Sequence, residues 1–97
     1  MKKVYDFTVC CDSRPCGKLV IEKEVDLSKE SVGSLVKSNV TLDESGCFVV
    51  KDSCLKINKD KISAEKTNVF FYDESSEGCK VCVRKGYLLE LNTYLVP

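Results

Sequence analysis

The 97-residue sequence contains no histidine and no tryptophan. Histidine is the side chain most often used as a general base, as the partner of a serine or cysteine nucleophile, and as an imidazole ligand of metals. Its absence removes those catalytic pairs and those metal sites. We therefore expect a protein that is not an enzyme.

The sequence also lacks any excess of charge of one sign. Fifteen Lys and Arg residues balance fifteen Asp and Glu residues. Proteins that hold a nucleic-acid backbone concentrate Lys and Arg on one face to neutralise the phosphates. The charge balance therefore predicts no nucleic-acid partner.

Long apolar runs are missing as well. No run approaches the ~18 residues that cross a bilayer, and Asp6 interrupts the beginning of the chain before an apolar signal segment could form. These patterns predict no membrane partner and a cytoplasmic location. The length suits one core, so residues 1–97 are predicted to form a single compact domain.

Alternating apolar and polar residues predict two strands at the beginning of the chain, over residues 3–11 and 18–27. Turn-forming residues lie between them, which indicates a β-hairpin. A register that keeps one face apolar on both strands pairs Phe7 with Ile21 and leaves residues 12–16 as the loop.

One helix is predicted, over residues 28–40. Ser28 is a good N-cap, and Glu30 lies near the positive end of the helix dipole. An apolar stripe then follows at helical spacing. It comprises Val32, Leu35, Val36 and Val40.

Strands and turns are predicted for the rest of the chain. Two short strands are expected at 47–50 and 54–57. The continuous apolar and aromatic run 68–72 is typical of a strand buried on both faces and central in its sheet. An acidic loop at 73–78 should follow. The last expected element is a hairpin of strands 79–83 and 87–95 around Arg84-Lys85-Gly86.

The predicted fold class is α+β, with a mostly antiparallel sheet of five to seven strands packed on one helix. The order of elements over residues 3–72, with strand end, cap and helix in the run Val25 to Val36, resembles the ubiquitin-like β-grasp. The C-terminal hairpin would be an addition to it. The chain ends Leu95-Val96-Pro97, without the diglycine of conjugated members, so the resemblance implies a non-conjugated binding module.

Seven cysteines make zinc the one cofactor to consider. Four thiolates from two cysteine pairs can bind zinc tetrahedrally. The candidate ligands are Cys11, Cys16, Cys79 and Cys82. The alternative is that these thiols bind no metal and pack as small apolar side chains, with no cofactor at all.

Disulfide and redox roles for the cysteines also remain open. A bridge from Cys47 to Cys54 is conceivable, and so is one from Cys10 or Cys11 to Cys16. A redox role for the pair Cys79 and Cys82 lacks the helix N-terminus that lowers a thiol pKa in such proteins. Strand alternation leaves three thiols most exposed. They are Cys10, Cys16 and Cys82.

The predicted function is a non-catalytic protein–protein interaction module, acting as an inhibitor or adaptor of a larger protein. Many short strands leave sheet edges to which a partner strand can be added. The expected contact residues are Arg14, Glu74, Glu77 and Tyr94. The alternatives are a zinc-stabilised small domain with cysteine ligands and a thiol redox protein.

Overall fold

A computed structural model describes residues 1–26, 28, 36–39, 41–51, 54–63 and 69–97. These residues form two antiparallel sheets, ordered β3-β8-β1-β2-β5 and β4-β7-β6. The elements are β1 (Lys2–Cys11), β2 (Arg14–Glu24), β3 (Val36–Asn39), β4 (Cys47–Val50), β5 (Leu55–Asn58), a 3-10 helix (Lys59–Lys61), β6 (Phe70–Ser75), β7 (Gly78–Val83) and β8 (Leu88–Val96).

The hydrophobic core lies between the two sheets. The rings of Phe7 in β1 and Phe48 in β4 meet across the layers with centroids 5.8 Å apart. Alternate residues of each strand point into this layer, as is usual when two sheets pack face to face. The fully buried side chains at its centre include Phe7, Val9, Leu19, Ile21, Val81, Cys79 and Leu89.

The prediction of an α+β fold with a packed helix is wrong. Val36–Asn39, expected to end that helix, form strand β3, in which Val36 lies opposite Thr93 of β8. A short helix needs packing to offset its costly nucleation, whereas the edge of β8 offers backbone partners at once. The rest of the predicted helix, apart from Ser28, lies outside the described residues. Within the described ranges the only helical segment is the 3-10 helix.

The resemblance to a β-grasp fold is therefore not borne out. That fold wraps one sheet around a helix, whereas here two sheets cover each other. The short strands predicted at 47–50 and 54–57 do form, but in different layers: β4 pairs with β7 and β5 pairs with β2.

The first hairpin is confirmed, but its predicted register is wrong. Phe7 lies opposite Leu19, and Ile21 lies opposite Tyr5. The turn is tighter than expected, because Asp12 and Ser13 alone connect the strands, both with positive φ (51° and 64°). This is the geometry of a type I′ turn, which matches the twist of the strands.

A β-bulge restores the apolar face beyond this tight turn. Val9 lies opposite Gly17 while Cys10 lies opposite Pro15, so Cys16 is the additional residue of β2. Without it every apolar residue of β2 would face the wrong side of the sheet. Turn type and bulge together fix the register.

The predicted C-terminal hairpin does not form. β7 pairs with β4 and β6, whereas β8 pairs with β1 and β3. Residues 84–87 therefore cross from one layer to the other. Because β7 and β8 lie in different sheets, their inner faces cover the core from opposite sides. Val81 of β7 and Leu89 of β8 are both fully buried there.

The sequence predicted that the aromatic strand is central in its sheet. Among the described strands, however, β6 is the last of the small sheet and pairs with β7 alone. Phe70 points into the core and is 3% exposed, whereas Phe71 is 55% exposed. The predicted acidic loop is also wrong in extent, because residues 73–75 continue β6 and only Ser76 and Glu77 form the turn to β7.

Replacing Ser13 by glycine should stabilise the hairpin turn. A side chain at φ 64° is strained by about 1–2 kcal/mol in a way that glycine is not. This strain exceeds the cost of about 0.4–1 kcal/mol that glycine adds through the entropy of the unfolded chain, so Ser13→Gly should raise the free energy of unfolding by about 0.5–1 kcal/mol. Urea unfolding measures this change. Ser13→Ala is the control and should give no such gain; equal effects of both variants would contradict the turn geometry.

Candidate functional site

Two of the predicted contact residues lie at opposite ends of the large sheet. Arg14 is exposed beside the hairpin turn and pairs with Cys11. Tyr94 is half-buried and pairs with Val4. Those two partners are seven positions apart in β1, which is about 23 Å of strand. Arg14 and Tyr94 therefore do not share a site.

The two predicted acidic residues lie on the small sheet. Glu74 is exposed near the end of β6, opposite Cys79, and Glu77 is exposed in the turn between β6 and β7. These two side chains are close in the chain and in space. The structure thus brings together one pair of the four residues, at the end of the small sheet.

The four predicted zinc ligands do not converge. Cys11 and Cys16 lie at the end of the first hairpin, Cys79 is inside the core, and Cys82 is bonded to Cys47 on the outer face of β7. Residues three apart in a strand face opposite sides, which separates Cys79 from Cys82. No group of three or more metal-ligating side chains occurs among the described residues.

The disulfide joins Cys47 in β4 to Cys82 in β7, residues that lie directly opposite each other. Both residues are buried, which differs from the exposed position predicted for Cys82. The sequence could not suggest this bridge, because it depends on β4 pairing with β7 rather than with β5. Cys54, the partner of Cys47 in the bridge that the sequence analysis named, is exposed and directly precedes β5.

A hydrogen-bonded loop positions Cys47 for this bridge. The Asp43 carboxylate accepts hydrogen bonds from the Ser45 hydroxyl (2.7 Å) and from the backbone N–H groups of Ser45 and Cys47 (both 2.9 Å). These bonds, led by the one from the Ser45 side chain, lower the pKa of Asp43. Gly46 lies close to Val83, where a Cβ would come within 2.9 Å of the carbonyl oxygen. The loop therefore fixes the position of β4 beside β7.

Breaking the disulfide should destabilise the protein. Its cysteines are 35 residues apart, and cross-linking a loop of that length removes about 3–4 kcal/mol of denatured-state entropy. We expect the Cys47→Ala/Cys82→Ala variant to lose about 2–4 kcal/mol of unfolding free energy in urea. Reduced wild-type protein is the matched control and should unfold at a similar midpoint. A variant as stable as the oxidised wild type would contradict the bridge.

Among the described residues, the surroundings of Cys11 and Cys79 disfavour the thiolate. Partial desolvation and the adjacent Asp12 carboxylate raise the pKa of Cys11. The Cys16 thiol donates to the Val9 carbonyl oxygen at 3.3 Å. A reactive thiol needs a lowered pKa, and both shifts resolved among the described thiols are upward.

Cys79 is the most strongly shifted thiol. Burial, followed by the carboxylates of Glu74 and Asp73, raises its pKa to about 11. The folded protein therefore keeps this proton at a pH where the unfolded chain has lost it. By linkage, Cys79 lowers the stability of the fold as pH rises above the ordinary thiol pKa toward 11.

Alkylation should distinguish Cys79 from Cys54. At pH 8 the raised pKa alone lowers the thiolate fraction of Cys79 about a hundredfold, and burial adds to this. We expect iodoacetamide to modify the exposed Cys54 first and Cys79 last, as followed by peptide mass spectrometry. In urea the two rates should converge. Early modification of Cys79 in the folded protein would contradict its placement in the core.

The outer face of the small sheet carries the exposed apolar residues of that layer. Phe71, Cys82 and Cys47 form one row across the three strands, and Asp73, Lys80 and Val49 form the next. Phe71 is 55% exposed and Val49 is 43% exposed. We call the surface formed by these two rows the outer face.

A cleft of about 440 Å³ lies at one end of the outer face. Its lining is mostly apolar and includes Val69, Phe71 and Cys82, together with Arg84. The Arg84 N–H donates to the Val69 carbonyl oxygen at 3.0 Å, which extends the β6–β7 pairing beyond Phe70. The cleft therefore opens beside the beginning of β6.

β6 forms an edge of the small sheet. Among the described residues it pairs with β7 and with no other strand. Natural edge strands are usually protected by charged residues, Pro, a bulge or a covering segment. In β6 the charged residues begin at Asp73, beyond the Phe70–Tyr72 stretch. An exposed aromatic residue and a cleft thus occur together on a strand with one neighbour among the described strands. The sequence signal for this site was the aromatic run itself, which was interpreted as core.

Comparison with protein-family models, curated proteins and solved structures found no match to this chain. The described part of the chain has no helix long and apolar enough to cross a bilayer.

Proposed function

We propose that the chain is a non-catalytic protein-binding module whose partner adds an extended strand to the edge of β6. The observation that carries the proposal is Phe71, a large aromatic residue 55% exposed on a strand with one described neighbour. Backbone hydrogen bonds to such an edge supply affinity, and side-chain pockets beside it supply specificity.

The cleft beside β6 provides a pocket of this kind. An apolar partner side chain can enter between Val69 and Phe71, where Arg84 can pair with a partner carboxylate. Aromatic and Arg residues dominate binding energies at protein interfaces. The partner segment is therefore extended, with an apolar residue for the cleft and an acidic residue for Arg84.

The predicted contact residues contribute unequally to this proposal. Glu74 belongs to β6 and Glu77 to the adjacent turn, so both can meet a basic residue at the other end of a partner strand. Arg14 and Tyr94 belong to the large sheet and have no role in strand addition at β6.

The cytoplasmic location stays a prediction. The Cys47–Cys82 disulfide is the observation that bears on it, because disulfides persist mainly in oxidising compartments. Zinc binding and thiol redox activity also stay predictions, and no observation on the described residues favours either over protein binding.

A lysine at the β6 edge should abolish partner binding. Phe71→Lys removes the exposed ring and adds a charge that discourages strand addition, so proteins captured from source cells by wild-type protein should be reduced at least tenfold. Val49→Lys is the matched control, because Val49 is similarly exposed on the same face but lies on β4.

Urea unfolding of both variants should match the wild type, since both positions are at the surface. Capture that survives Phe71→Lys, or is lost equally in both variants, would refute binding at the edge of β6.

A further inference from the structure

The position of the aromatic run conflicts with its composition. Three consecutive aromatic residues, Phe70 to Tyr72, are typical of an interior strand, which is buried on both faces of its sheet and has a neighbouring strand at each edge. Here β6 has one described neighbour, and Phe71 is 55% exposed. Such a strand is suited to become an interior strand when another strand pairs with its edge.

We propose that this strand is β6 of a second copy of the chain, paired antiparallel about a twofold axis at Phe71. The inference rests on the proposed function, because both use the same edge. The small sheets of the two copies would form one six-stranded sheet ordered β4-β7-β6-β6-β7-β4. In this arrangement each β6 becomes an interior strand, as its composition predicts.

The register about Phe71 is self-complementary. Phe71 of one copy lies opposite Phe71 of the other on the outer face, and Phe70 lies opposite Tyr72 on the inner face. Cross-strand aromatic pairs of this kind stabilise antiparallel sheets. A twofold axis at Asp73 would instead oppose two carboxylates, which disfavours that register.

Charges on the neighbouring strands support the same register. With the axis at Phe71, Asp73 lies opposite Val69 of the second copy, and Val69 is paired with Arg84. Asp73 of one copy and Arg84 of the other are then two strands apart. Their Cα atoms are about 10 Å from each other, a distance that the long arginine side chain can span. Lys80, opposite Asp73 in its own copy, adds a second positive charge beside the carboxylate.

Nothing in the overall charge opposes this association. The formal net charge is zero, so two copies do not repel each other at long range, and a charge near zero favours self-association. The paired edge is short, however, and interfaces below roughly 1,200 Å² are typical of transient contacts. We therefore expect a dissociation constant in the micromolar range.

Sedimentation equilibrium of the full-length protein, from low micromolar to several hundred micromolar, tests the dimer. We expect the wild type to pass from monomer to dimer, Phe71→Lys to remain monomeric, and Val49→Lys to behave as the wild type. Dimerisation that survives Phe71→Lys, or a wild type that stays monomeric throughout, would overturn the proposal.

A mixing experiment tests the register. The twofold axis creates two equal contacts between Asp73 of one copy and Arg84 of the other. In homodimers of Asp73→Lys or of Arg84→Asp both of these contacts become repulsive, so each variant alone should dimerise at least tenfold more weakly. A mixture of the two forms heterodimers in which both contacts are attractive, and dimerisation should return. Failure of the mixture to associate would refute the register about Phe71.

The outcomes separate this proposal from the proposed function. A wild type that is monomeric but captures a protein in a Phe71-dependent way overturns the dimer alone. A wild type that is monomeric and captures nothing overturns both. A dimer that a captured partner dissociates supports both, because the two would compete for one edge.

Discussion

The structure depends on the burial of the inner face of β1 between two sheets. Phe7 and Val9 are almost completely buried, and Phe7 meets Phe48 of the opposite layer. Because β1 pairs with both β2 and β8, its inner face is the centre of the large sheet. A second layer is needed to cover that face, and β4, β7 and β6 supply it.

This requirement explains where sequence-based prediction fails. The alternation in β1 and β2 predicted the first hairpin, because one face of each strand is buried, but the bulge at Cys16 and the turn at Asp12 shifted its register. The loop Arg84-Lys85-Gly86 has the composition of a hairpin turn, yet it crosses between layers. Local turn chemistry is compatible with either connection, and burial of Val81 and Leu89 in opposite sheets decides between them.

The cysteines show the same dependence on long-range pairing. The alternation within β7 is enough to place Cys79 and Cys82 on opposite faces, since this requires only the period of one strand. The partner of Cys82 follows from the pairing of β4 with β7 across 35 residues, which no spacing in the sequence reveals. The bridge in turn holds the short strand β4 against β7, in the same row of the outer face as Phe71.

The aromatic run was assigned to the interior of a sheet from its composition, and in a single chain that assignment is wrong. An aromatic run indicates a strand suited to burial, whereas the fold of one chain shows only the burial that this chain itself supplies. Phe70 meets the core of its own chain, while Phe71 faces outward on an edge that carries no protective lysine or proline. A solvent-exposed aromatic edge promotes non-specific aggregation, and pairing with a specific strand removes that hazard. The same residues thus make the edge suited to strand addition and prone to aggregation when uncovered.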